Sequence, residues 1–524
     1  MILAEQAMNR FRTMLSTFPY VVVAPDATFL TLCRDQPLIC LSAVSTVVTG
    51  NDILQQTLDE VWQEEISRRI LFNAERSIEL LQAILVHLAW YQFHHSPKRD
   101  NSYQLLQMAS SMCVDLGLNL TPKEAVSFKV GLTLNHYQRH SLPPSAIHDE
   151  FFSRSARRAY LGCFYLATIL AWTQGKAHTL QYTDYMVSCA RSLQDDPEYH
   201  SDRLLLPLLQ LQHLADDYHD RFHSARHEYQ STMSYQLTLA HMKSFQKDVA
   251  AITANLQPHE RSHDLISMTQ LLATMRSHEM NVVSPMSFRY QNQPSAAEAT
   301  LPSQSRSSAR PQVLLRCFEA ARSYCNHFLT IPFENYNKIM FPQWHCLVYS
   351  IVLVYRLSLG LETIPEWDQE VAQANFDLEG FLQSVHEQLG ASQRHNGLNN
   401  SCNHTQKTLY AVLGPIFANV KATYSRLKLL PGSGSTRDTV RVHDLDFSQT
   451  RDIPQSTLKS PSRCPAFPYW GSLDNSNTPS LQSAHAALTL DTLIEDDPLQ
   501  TDLELWGDIL HPTIDENAWQ IAGL

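Results

Sequence analysis

The chain has 524 residues, 44% of them apolar and only 15 of them glycine. It can therefore bury a sizeable core, and it is poor in the residue that Gly-rich phosphate loops, barrels and turn-rich β architectures need. Of its 52 acidic residues, ten fall in residues 464–524, where there is no Lys or Arg, so the formal net charge of −12 belongs mostly to the tail. That tail is repelled by phosphate backbones, and the nearly neutral body offers no counterion-release surface for nucleic acid.

Met1 to Phe11 lacks a basic stretch followed by an apolar one, which argues against secretion. The ten cysteines are scattered with no Cys-x-x-Cys, as expected of a reduced, intracellular protein. The first strong helical signal lies between Leu58 and Phe93, where Leu81, Ile84, Leu85, Leu88 and Tyr91 recur at helical spacing, and Pro97 ends it. A second helix places Leu105, Met108, Ala109, Met112, Cys113 and Leu116 on one face, with Gly117 as its C-cap; the two read as a helical hairpin.

Further helices are expected at Arg157 to Trp172, Asp202 to His213 and Tyr218 to Asn255, the last two as more polar surface elements. Even the nearly apolar run Ala159 to Trp172 falls short of the about 18 to 20 residues that span a bilayer, so no membrane segment is expected. Ser287 to Gln312 is rich in Pro and small polar residues and reads as a disordered linker. Helical periodicity returns at Leu314 to Phe328, Trp344 to Tyr355, Phe376 to Leu389 and Lys407 to Leu430, the last interrupted or kinked near Gly414 and Pro415. Ala391 to Thr405 reads as a polar loop, and the Pro/Ser/Asp-rich stretch after Pro431 as disordered. The expected fold is all-α: a multi-helix bundle of antiparallel helical hairpins, with a disordered linker and a disordered acidic C-terminal tail.

Constellations that could carry chemistry have plainer readings. His219, His223 and His227 are spaced four apart, but the first and third are about two helical turns apart, too far for one ion, and Asp216, Asp217, Asp220, Arg221 and Arg226 suggest a solvated face. His136 and His140 lack the intervening Glu of a zincin, and Ser435 stands in a flexible Gly-Ser stretch rather than a nucleophile elbow. No Walker or dinucleotide glycine motif is present, and the adjacent pairs Glu64-Glu65 and Asp195-Asp196 point about 100° apart on a helix. Arg157 and Arg158 read as helix-surface charges, and Lys98-Arg99 is a weak import signal. No catalytic residue, cofactor or metal is expected. Two zinc ions in a binuclear cluster need six closely spaced cysteines, whereas the nearest here are Cys33/Cys40 and Cys317/Cys325.

From Leu490 to Leu524, bulky apolar residues are interleaved with acids, the composition of an activation segment whose carboxylates keep apolar groups available to a partner. Leu503, Trp506 and Leu510 share a helical face, and with Ile509 they are the expected contacts; the alternative is a C-terminal helix packed on the body.

The stretch "LLQAILVHLAWYQFHHSP" (residues 80–97) followed by "YQLLQMASSMCVDLGLNLTP" (residues 103–122) resembles the helical hairpin of the fungal-specific transcription factor domain, the middle homology region of zinc-cluster regulators. Residues 18–48, 157–172 and 341–360 are similar to other parts of that domain, so the likeness covers roughly residues 10–430. It implies an all-α regulatory domain over residues 1–286, with its core at about 40–260, continued by 313–430 after the linker at 287–312. The disordered segment 431–489 and the activation segment 490–524 follow.

The resemblance further implies a nuclear, pathway-specific transcription regulator, of a biosynthetic gene cluster for instance, that is not an enzyme. Its partners would be the transcription machinery or a DNA-bound factor, in a homo- or heterodimer. Members normally carry a zinc cluster and a short coiled coil before this domain, and the chain begins almost at the domain, so DNA contact is expected to be indirect or weak. The alternative is a non-activating partner that modulates another zinc-cluster factor.

Overall fold

The computed structural model describes residues 2–48, 52–94, 100–122, 124, 152–174, 176–228, 235–278, 310–360, 367–395 and 409–428, all within one compact unit. Among these residues there are helices and no strands. The helices are α1 (Ile2–Leu15), α2 (Phe29–Asp35), α3 (Pro37–Val47), α4 (Asp52–Ile66), α5 (Ile78–Ala89), α6 (Ser102–Asp115), α7 (Arg154–Thr173), α8 (Asp184–Asp195), α9 (Asp202–Glu228), α10 (Tyr235–Ala254), α11 (Pro258–Arg261), α12 (Asp264–His278), α13 (Arg310–Thr330), α14 (Phe341–Leu359), α15 (Gln369–Asn375), α16 (Leu378–His395) and α17 (Leu409–Lys428). A π-helical turn, Ser67–Phe72, continues α4, and 3-10 turns span Tyr91–Phe93 and Phe333–Lys338.

Local chemistry sets where these helices start and stop. Thr28, Ser77, Ser153 and Thr183 each accept a hydrogen bond from a backbone N–H in the first turn of α2, α5, α7 and α8. At the end of α6, Gly117 takes φ +70, its N–H donates to the Val114 carbonyl, and the Leu118 N–H donates to the Cys113 carbonyl. This is the Schellman closure expected of that glycine.

Three helices are buried on nearly every face. In α5 only Glu79 escapes burial; in α7 only Arg154, Ser155, Arg157 and Trp172 do. Most of α14 is likewise enclosed. Helix α7 is the hub, packed by α5, α6, α8, α9 and α14. The main core runs from Met8 to Tyr424, so helices on both sides of residues 279–309 share it. Polar ties reinforce this: Thr17 Oγ1 donates to the Lys338 carbonyl at 2.7 Å and Gln92 Nε2 to the Ile339 carbonyl at 2.8 Å. A small satellite core of Leu211, Ala215, Tyr218, Phe245, Val249 and Ala273 joins α9, α10 and α12.

The structure corrects several sequence expectations. The helical signal from Leu58 to Phe93 is two elements, broken after Phe72 and restarted by the Ser77 cap, with Ala74 at φ 52 in between. The first half of α9 is not a surface element, because α7, α8 and α12 pack on it and bury Leu205, Leu208 and Leu211 completely. Helix α16 extends to His395, into the stretch read as a polar loop, with Ser392 fully buried. Helix α17 runs uninterrupted across Pro415. The linker at 287–312 lies outside the described residues except for its last three, which belong to α13, and the segments 431–489 and 490–524 lie outside them altogether.

A buried aromatic stack joins α4 to α5. The His87 ring lies 3.7 Å from Trp62 and 4.0 Å from His94, nearly parallel to both. Burial, and secondarily the neighbouring His94, hold the His87 pKa well below the usual imidazole range, so the ring is neutral inside the core. Trp62 Nε1 donates to Ser42 Oγ at 2.8 Å, and His94 Nδ1 lies 2.6 Å from Asp59 Oδ1.

The N-terminal segment lies directly on the hub. A Cβ added at Gly162 would stand 2.5 Å from Tyr20 Cβ, and Tyr20 in turn packs its ring 5.1 Å from Tyr165. Because Tyr20 Cβ is fixed to its backbone, it cannot swing aside. Gly162→Ala should therefore cost about 1–3 kcal/mol, the usual penalty of overpacking a filled core, read as a lower urea midpoint at unchanged slope. An unchanged midpoint would show that the segment is not seated on α7.

Candidate functional site

Where α7 begins, a cavity of about 300 Å³ opens between the segment following Tyr20, α2, α5 and the turn before α9. Its walls mix Val22, Ala27 and Leu32 with the polar side chains of Gln36, Gln82 and Arg158. Each wall is positioned by a helix end. The Thr28 cap sets α2, Ser153 starts α7, and the Tyr199 carbonyl accepts the Asp202 N–H at 3.0 Å as α9 begins.

Arg158 organises this site. Its Nε and one terminal nitrogen donate to the two carboxylate oxygens of Asp202 at 2.7 and 2.8 Å, the fork geometry in which guanidinium matches carboxylate. The same terminal nitrogen also donates to Glu198 at 2.8 Å, and the guanidinium lies 5.0 Å from the Tyr199 ring centre. Asp202 additionally accepts the Glu198 and Tyr199 backbone N–H groups. Burial pushes the Asp202 carboxyl up, but the Arg158 hydrogen bonds and these backbone donors outweigh it and leave its pKa below the ordinary carboxylate range. For Arg158, burial acts downward, yet its two carboxylate partners raise its pKa above the ordinary value.

The reading of Arg158 as a surface charge is thus overturned: it is 3% exposed, while its neighbour Arg157 is half-buried and donates to Ser192 Oγ at 2.8 Å. Sequence reasoning passed over the pairing because Arg158 and Asp202 are 44 positions apart. The one available signal was an Arg placed directly before a long apolar helical run.

The cavity can hold a polar molecule of modest size. It contains no nucleophile set beside a base: Ser155 Oγ accepts a hydrogen bond from Gln82 Nε2 at 2.9 Å, and no His or Cys lines the walls. Among the described residues no group of three or more His, Cys, Asp or Glu could hold a metal ion, and no helix is long and apolar enough to cross a membrane.

The sequence candidates are dispersed. His219 is half-buried on α9, with Nδ1 3.4 Å from the Arg276 carbonyl, and Asp216 pairs with Arg276 rather than facing a solvated histidine row. Glu65 pairs with Arg68 and Arg69, and Asp196 with Arg154. His136, His140, Ser435 and the tail contacts Leu503, Trp506, Ile509 and Leu510 lie outside the described residues, as do the side chains of His223 and His227.

Because Asp202 is fully buried, Arg158→Met should strand a carboxylate and destabilise the protein by about 3–5 kcal/mol in urea unfolding. Adding Asp202→Leu should recover most of that loss. If the double variant is no more stable than the single one, the pair is not the element that fixes the cavity wall.

Residues 38–282 match the family described as the fungal specific transcription factor domain. Transcription factor opdL of Penicillium oxalicum is 25% identical over 386 residues, covering 71% of this chain and 62% of that protein. Transcription factor himD of Aspergillus japonicus is 31% identical over 205 residues, covering 39% of this chain and 32% of that protein. Transcription factor pbcR of Emericella nidulans is 25% identical over 210 residues, or 39% of this chain and 28% of that protein. The chain thus spans less than two thirds of the length of each of these relatives. No solved structure matches it. Its α3 to α12 region, residues 38–282, is a fungal specific transcription factor domain, and the relatives it matches are fungal transcription factors.

Proposed function

We propose that this chain regulates transcription in the nucleus, with its helical body receiving a regulatory input and residues 490–524 recruiting transcription machinery. The observation that carries the reading is the fungal specific transcription factor domain over residues 38–282, together with relatives that are named as transcription factors. The cavity beside Arg158 supports the input half of the proposal, since a polar pocket without catalytic groups is suited to binding rather than to bond chemistry. A pathway-specific role, of the kind that governs a biosynthetic gene cluster, fits a regulator whose body presents such a pocket. Its partner is a DNA-bound transcription factor, through which it reaches DNA.

The tail supports the recruiting half. Its acids hold Leu503, Trp506, Ile509 and Leu510 in a sequence too charged to form a core of its own, and such residues anchor in a partner's apolar groove. Residues 464–524 tethered to a heterologous DNA-binding domain should activate a reporter. Replacing Trp506 and Leu510 by Ala should lower that activation about tenfold, the equilibrium cost of losing about 1.4 kcal/mol of anchoring contact. A silent fusion, or one indifferent to both substitutions, would remove the tail from the mechanism.

A further inference from the structure

The elbow between α2 and α3 brings two thiols together. Asp35 ends α2, Gln36 is the junction, and Pro37 opens α3 with the fixed φ of a first helical residue. The two helices fold back on one another, and Cys33 Sγ then lies 2.7 Å from Cys40 Sγ. Both are free cysteines, Cys33 half-buried and Cys40 only 2% exposed. Neither takes part in the Arg158 network or lines the cavity, although Leu32, Asp35 and Gln36 beside Cys33 do.

The other described cysteines lack this combination. Cys113, Cys163, Cys189, Cys317, Cys325 and Cys346 are all buried, so a reagent in water reaches none of them directly. Cys33 alone among the described cysteines is accessible, and it has a second thiol within reach. Burial, then the hydrogen bond with Cys33, push the Cys40 thiol above its ordinary range, which keeps it protonated until a sulfur electrophile is placed against it.

We propose that Cys33 and Cys40 form a reversible dithiol–disulfide site, oxidised by a hydroperoxide, at the elbow that carries one wall of the cavity. The Cys33 thiolate attacks the outer peroxide oxygen; the O–O bond breaks, an alcohol or water leaves, and Cys33 becomes a sulfenic acid. Cys40 then attacks the Cys33 sulfur. An S–S bond forms, the S–O bond breaks, and the departing hydroxide takes the Cys40 proton as water. The two thiols lose two electrons and the hydroperoxide gains them, and a dithiol reductant reverses the change. The cross-link fixes α2 against α3, and with it the wall residues on α2.

Trypsin makes the test direct, because Arg34 lies between the two cysteines and separates them into peptides 13–34 and 35–68. The full chain, treated with hydrogen peroxide and then alkylated in denaturant, should yield these two peptides joined and lighter by two hydrogens. Dithiothreitol should separate them again. Cys40→Ser should stop at a Cys33 sulfenic acid that dimedone traps, and Cys33→Ser should leave Cys40 fully alkylatable. The wild-type mapping requires no variant to fold. Peroxide treatment that leaves both thiols alkylatable, drives Cys33 to the sulfinic acid with Cys40 still free, or joins Cys33 to a different cysteine would overturn the proposal.

Discussion

A helix buried on every side is stable only when other elements surround it, and α7 imposes that requirement on the whole chain. Ala159, Leu161, Phe164, Ile169 and Ala171 are each at most 2% exposed, although they point in different directions around the helix. Apolar area of this kind stabilises the fold by about 25 cal/mol for each Å² removed from water, but only where neighbours exist to exclude that water. Helices α5, α6, α8, α9 and α14 supply those neighbours. Trp172 of α7 meets Tyr349 of α14 edge to face at 4.5 Å. The stretch that matches the family therefore gains its core partly from residues beyond residue 282.

The same constraint governs the polar groups. Enclosing α7 takes Arg158 into the interior with it, and a buried guanidinium is tolerable only when its charge is matched and its donors are used. Asp202 and Glu198 supply that match from the start of α9, so the pairing also sets how α9 enters the bundle. What remains beside it is a cavity with an apolar wall and a few fixed polar groups. Its form follows from how the hub is closed.

Much of this architecture is visible in the sequence wherever apolar residues recur at helical spacing. Helix α6 shows its apolar stripe and its terminal glycine, and α14 and α13 are legible from their aromatic and aliphatic spacing. Periodicity fails where polar residues share the buried side. Helix α12 buries Thr269, Arg276 and Ser277 along with Leu265, Ile266, Met268 and Met275, so no apolar stripe marks it. In α9 the Asp and His residues of the second half hid the buried leucines of the first. The cavity was hidden for a different reason. Arg158 reads as a surface charge from its sequence neighbours, and only the fold brings Asp202 to it. The proximity of Cys33 and Cys40 was noted only as failing to make a zinc cluster, because spacing alone does not reveal that an elbow turns the two sulfurs together.

The central claim is that the helices before residue 282 and those after residue 310 share one core around α7. Native-state amide hydrogen exchange across a urea series tests it most directly. The account predicts that amides in α5, α7 and α14 exchange with one common opening free energy and converge on global unfolding together. Exchange of α14 at low urea, while α5 and α7 stay protected, would contradict it.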